Sequence, residues 1–75
     1  MARFEAQVSE VKGADRTVIS AWSEPERVAA SRHAIWYANQ YRAQGWVIGH
    51  GAPGVIVLTH PGGRTVEVSI VEKEA

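Results

Sequence analysis

With 75 residues the chain has room for one small domain, residues 1–75, and no second. A domain of this size buries only about 60% of the surface its unfolded chain exposes, so its core is marginal. Eight Lys and Arg balance eight Asp and Glu, which argues against a dedicated nucleic-acid binder, because a basic excess usually accompanies phosphate contacts, while leaving room for a local basic patch.

Cysteine is absent, which fits a reducing compartment. No apolar run approaches the roughly 18 residues of a membrane span. Met1-Ala2-Arg3-Phe4-Glu5 lacks the apolar stretch of a signal peptide. A cytoplasmic protein that does not enter membranes is expected.

Phe4, Ala6 and Val8 alternate with Glu5, Gln7 and Ser9, the period of a strand with one buried face. Lys12-Gly13-Ala14-Asp15 reads as a turn, and residues 16–22 as a second strand rich in β-branched side chains. Ser23-Glu24-Pro25-Glu26 has the pattern of a capping box. Ser23 is therefore read as a helix N-cap and not as a nucleophile. The helix is predicted over about residues 24–44, with Gly45 ending it. At about 100° per residue, Ala30, Ala34, Ile35, Tyr37, Ala38 and Tyr41 gather on one stripe. Trp46-Val47-Ile48 is a short third strand, residues 49–54 a loop, and residues 55–60 a fourth strand. Pro61-Gly62-Gly63 is a hairpin turn, and residues 64–71 are the last strand.

The order ββαβββ defines an α+β domain: one antiparallel sheet, continuous or split, packed on a single helix. A three-residue loop in the last hairpin sets His60 opposite Arg64, Leu58 opposite Val66 and Ile56 opposite Val68. A two-residue loop would set Ile56 against Glu67 and mix the faces. The three-residue register points Val47, Ile56, Leu58, Val66, Val68 and Ile70 at the helix. A four-residue turn in the first hairpin adds Phe4, Ala6, Val8, Ile19 and Ala21 to that core. The second face is then Trp46, Ile48, Val55, Val57 and Val71, interrupted by Thr59, Thr65, Glu67 and Ser69 and joined by Trp22 and Val18. One helix cannot cover two faces. Trp22, Trp46, Ile48, Val55 and Val57 are accordingly expected to be covered by a second copy, as a homodimer interface, or by another protein.

Motifs for chemistry are sparse. His33, His50 and His60 show no metal-ligand spacing, so neither metal nor cofactor is expected. The carboxylates form no recognisable acid–base pair, and the Gly-x-Gly at Gly49 opens no helix that could cradle phosphate. An enzyme is not expected. What remains are surfaces. Trp36 falls away from the alanine stripe, among Arg32, His33 and Gln40, and these four are the candidate partner-binding residues. The alternative for Trp36 is packing under a loop or against a twin helix.

The expected function is that of a small non-enzymatic interaction protein. It would bind and occlude a protein partner, as do the regulators and inhibitors that phages and mobile elements encode. The alternative is a nucleic-acid-binding module, with Arg27 and Arg32, extended by Arg3 and Arg64, on phosphate and Trp36 or Tyr37 stacked on a base. A third reading places a small ligand between protomers, with His50, His60 or Trp46 at its rim.

Overall fold

One antiparallel sheet of five strands is closed at its centre by the first and last strands of the chain. The structure, a computed structural model, describes residues 2–49 and 51–74; His50 lies outside them. Strands β1 (Ala2–Lys12) and β2 (Asp15–Glu24) precede helix α1 (Arg27–Ala43). Strands β3 (Val47–Gly49), β4 (Val55–Thr59) and β5 (Thr65–Glu74) follow it. The spatial order is β2-β1-β5-β4-β3. The α+β architecture is as expected, and the sheet is continuous because β1 and β5 pair from Ala2 opposite Glu74 to Val11 opposite Thr65.

Strands β2 and β3 form the two edges, and α1 connects them. Four strand spacings put the edges ~19 Å apart. The 17-residue helix is ~25 Å long, so it crosses the sheet obliquely and touches all five strands. Ala30, Ala34 and Ala38 lie one turn apart on its buried side. Their small side chains let the helix settle onto Ala6, Val8, Leu58, Val66 and Val68, with Trp46 completing the core. No helix among the described residues is long and apolar enough to cross a membrane.

The last hairpin has the predicted register, with Leu58 opposite Val66 and Ile56 opposite Val68. The His60 N–H donates to the Arg64 carbonyl and the Gly63 N–H to the His60 carbonyl, both at 2.8 Å. Gly63 takes φ +93°, the left-handed third position that such a loop requires.

The first hairpin departs from expectation. Lys12 faces Asp15 and Ser9 faces Val18, but a bulge then leaves Ile19 unpaired, and pairing resumes with Val8 opposite Ser20 and Ala6 opposite Trp22. Opposite residues of an antiparallel pair share a face. Ile19 and Ala21 therefore lie outside the core, while Ser20 and Trp22 take the helix side. A bulge adds one residue to one strand and reverses the alternation beyond it.

Strand β3 is also reversed relative to expectation. Ile48 faces Leu58 and Val47 faces Thr59, so Ile48 lies on the helix side and Val47 on the open face. Trp46 belongs to the core and is 7% exposed. Ile35, placed by periodicity on the buried stripe, sits at its margin and is 55% exposed.

The two helix ends differ. At the start, Glu26 is the N-cap and makes no side-chain capping bond. Ser23 instead accepts a hydrogen bond from Arg3 Nε at 3.0 Å, because β2 continues to Glu24. Pro25 accounts for this, since the residue before a proline is held extended. At the end, Gly45 has φ +94°. Its N–H reaches the Arg42 carbonyl at 3.0 Å, and the Trp46 N–H reaches the Tyr41 carbonyl at 3.1 Å. This is a Schellman motif, and the Tyr41 and Trp46 rings, 5.0 Å apart edge to face, supply its apolar contact.

Candidate functional site

The bulge at Ile19 determines where Trp22 goes. It turns the end of β2 by one position, so Trp22 stands on the helix side of an edge strand, beside the second turn of α1. There His33 stacks on it, with centroids 4.6 Å apart and planes 11° from parallel. His33 also meets Trp36 at 5.2 Å and the edge of Tyr37 at 4.7 Å. Trp36 and Tyr37 approach each other at 5.6 Å. His33 is thus the hub of three larger rings. Trp22 and Trp36 nevertheless remain 49% and 51% exposed.

Polar groups border this surface. Trp22 and Glu24, two apart on one strand, share a face, and the indole Nε1–H donates to Glu24 Oε1 at 2.7 Å. Glu24, Ala29, Arg32, His33 and Trp36 line a shallow cleft of about 420 Å³. Burial pushes the Tyr37 phenol above its ordinary pKa, with a smaller contribution from Tyr41. The cleft therefore offers aromatic surface, one carboxylate and one guanidinium.

Of the four candidate binding residues, Arg32, His33 and Trp36 meet in this cleft. Gln40 is exposed and lies one turn further along, outside it. The five residues expected at a homodimer interface are scattered. Trp22 belongs to the aromatic cluster, Trp46 to the core, and Ile48 to the helix side of the β3 edge. Only Val55 and Val57 lie on the open sheet face, opposite Ser69 and Glu67.

That open face carries the expected Thr59, Thr65, Glu67 and Ser69 and a further network of charged and polar side chains. Gln7 Nε2 donates to Glu5 Oε1 at 2.9 Å, and Lys73 Nζ lies 3.5 Å from the same oxygen. Arg16 pairs with Glu67 across three strands. The Glu5 carboxyl is held below its usual range, first by the Gln7 hydrogen bond and then by Lys73, against an opposing desolvation.

A second aromatic group lies toward the other end of the helix. Trp46 contacts His60 at 5.1 Å, and the Arg64 guanidinium lies 5.6 Å from the Trp46 ring centroid. Arg64 also donates to Glu10 Oε2 at 3.0 Å. His60 Nδ1 accepts the Gly62 N–H at 2.9 Å, which leaves Nε2 to carry the proton of the neutral ring. His33 and His60 serve separate clusters. Among the described residues, no three of His, Cys, Asp and Glu are placed to hold a metal ion.

Sequence reasoning missed the part Trp22 plays here, because alternation alone cannot reveal a bulge. The Trp22-Ser23-Glu24 spacing was the available signal, since it places an indole and a carboxylate on one face of a strand. Compared with protein-family models, with curated proteins and with solved structures, the chain matches none.

Proposed function

We propose that this chain is a small non-enzymatic interaction protein, a regulator or inhibitor, that binds a protein partner through the Trp22–His33–Trp36 surface. The observation that carries this reading is the half exposure of two indoles that are held in place by stacking. An aromatic side chain is worth most when its 150–250 Å² or so is fully buried. A 75-residue domain has little such surface to leave in water. Aromatic surface of this kind, bordered by charge, is what binding hot spots are made of. The stack on His33 fixes the rings beforehand and lowers the entropy lost when a partner covers them.

Glu24 weighs against nucleic acid as the partner, since it puts a carboxylate in the same cleft as Arg32 and opposes phosphate. The test is capture from host lysate on the native chain, with and without nuclease, beside Trp22→Ala and Trp36→Ala. A protein that survives nuclease and is lost with either variant is the expected result. Release by nuclease, or a steep fall in binding with salt, would give the site to nucleic acid. Retention by both variants would move the binding site elsewhere.

A further inference from the structure

The strand that carries Trp22 is also the long open edge of the sheet. β2 has 10 residues against 3 in β3, and among the described residues β1 is its only strand neighbour. Alternate N–H and C=O groups along it therefore face outward without a strand to receive them. Natural edges of this length are commonly guarded by charged side chains, especially Lys, by Pro, by a bulge, or by a covering element. β2 contains neither Lys nor Pro. The bulge at Ile19 is a single guard along it, and the strand's charged residues Asp15, Arg16 and Glu24 lie at its two ends, leaving residues 17–23 uncharged. Val18, Ile19 and Trp22 stand exposed along the strand, with the His33 and Trp36 rings beside its end.

We infer that the β2 edge accepts an extended segment of a partner protein as a sixth strand. The inference rests on the protein-binding role proposed for the aromatic surface and specifies the form the partner takes there. Main-chain pairing with β2 supplies affinity, and the side chains of the added strand supply selectivity. A residue opposite Trp22 falls on the helix side, against the indole, and is apolar. Two positions along on the same face, a residue opposite Glu24 is Lys or Arg, because Glu24 has no ion-pair partner among the described residues.

A second copy of this chain fits the edge poorly. Antiparallel β2–β2 pairing about a two-fold axis must set helix-side residues opposite helix-side residues. Asp15, Thr17, Ser20, Trp22 and Glu24 are on that side, and Arg16, Val18, Ala21 and Ser23 on the other. The register that uses the whole strand sets Asp15 opposite Glu24 of the second copy, twice, and at its centre sets Ile19 opposite Ser20, which lie on different faces. Like charges directly opposite are destabilising. The register that would set Arg16 opposite Glu24 mixes the faces, because the bulge separates those two residues onto different sides.

The test is selection of a random dodecapeptide display library on the immobilised native chain, with Ile19→Lys as the counter-bait. The expected sequences alternate with period two and carry Lys or Arg two places from an apolar residue. Methylating the main-chain nitrogens that face β2 should weaken the synthetic consensus peptide at least about tenfold, and methylating the intervening ones should not. Ile19→Lys should weaken it similarly while circular dichroism and melting stay unchanged. The methylated peptides make the same point without any variant.

Enrichment of helical spacing, or no enrichment above the counter-bait, would overturn strand addition. So would indifference to methylation. A native dimer in sedimentation that is lost in Ile19→Lys would give the edge to a second copy and overturn the proposal. Binding that fails with Trp36→Ala but ignores methylation would keep the aromatic surface and sink the strand. Binding that ignores Trp36→Ala but fails on methylation would keep the strand and sink the aromatic reading.

Discussion

Trp46 and the Trp22–Trp36 pair meet similar neighbours at different ends of the same helix, yet one is sealed and the other open. Each has a histidine against an indole, a tyrosine edge, an arginine and a glutamate close by. Trp46 is 7% exposed, while Trp22 and Trp36 are 49% and 51% exposed. The residue types do not decide this; the backbone does. Trp46 follows the helix in a Schellman motif that ties its own N–H to the last turn, and the β4–β5 hairpin brings His60 and Arg64 over it. Trp22 stands on an edge strand with no further strand beyond it among the described residues. An aromatic cluster in a small sheet is closed only where a further strand or hairpin exists to close it.

The largest expected effect tests the sealed side. Trp46→Ala should cost about 3–5 kcal/mol, a large part of the roughly 5–15 kcal/mol that holds most domains folded. Urea denaturation would measure it. Trp36→Ala should lose its ring–ring contacts and the burial of about half a ring, about 1–2.5 kcal/mol in all, and Trp22→Ala about the same. Equal losses at Trp46 and Trp36 would remove the distinction between structural and presenting clusters.

Fluorescence sharpens the same contrast without a partner. In the native chain, acrylamide should quench Trp22 and Trp36 readily and Trp46 little. The double variant Trp22→Ala with Trp36→Ala should leave one blue-shifted, poorly quenched emission. If its remaining emission is quenched as easily as in the native chain, Trp46 is not sealed.

How much of this contrast the sequence discloses depends on the length scale of the signal. The Pro61-Gly62-Gly63 loop and the facing of Leu58 with Val66 follow from local turn chemistry and alternation, and both are legible. Gly45 as the end of the helix is legible for the same reason. The side taken by Trp22 is not, because a single unpaired residue at Ile19 reverses everything after it in β2. The burial of Trp46 is hidden by the turn that precedes β3, which shifts the strand's phase by one. The capping pattern at Ser23 misleads because Pro25 keeps the chain extended through Glu24. Arg32, His33 and Trp36 are legible as a group from helical spacing. Their contact with Trp22 and Glu24 is tertiary, and no local pattern encodes it.

The turn at Gly45 offers a smaller and more specific test of the sealed side. Its φ of +94° is a conformation that L side chains rarely adopt, and nothing stands within 4 Å of where a Cβ would be. Gly45→Ala should therefore act through backbone strain alone, costing about 1 kcal/mol. Because the same turn aims Trp46 inward, the variant should also raise acrylamide quenching of Trp46. A stability loss without that change would mean the ring is held by its neighbours and not by the turn.

The smallest effect expected is electrostatic and belongs to the rim of the sealed cluster. Glu10 is held below the usual carboxylate range, first by the Arg64 hydrogen bond and then by Lys12, with desolvation opposing. A carboxyl lowered on folding binds its proton more weakly in the folded chain than in the unfolded one. Its stabilisation is complete above the unfolded value of about 4.3 and disappears as pH falls through the lower folded value. Melting temperature should therefore drop on acidification below about pH 4.3, and Glu10→Gln should flatten part of that drop. Glu5 on the open face contributes in the same direction, so Glu5→Gln separates the two. Because Arg64 is mostly in water, the Glu10 share should shrink further in high salt. An acid slope unchanged by Glu10→Gln would mean that Arg64 is kept beside Trp46 by its contact with the ring alone.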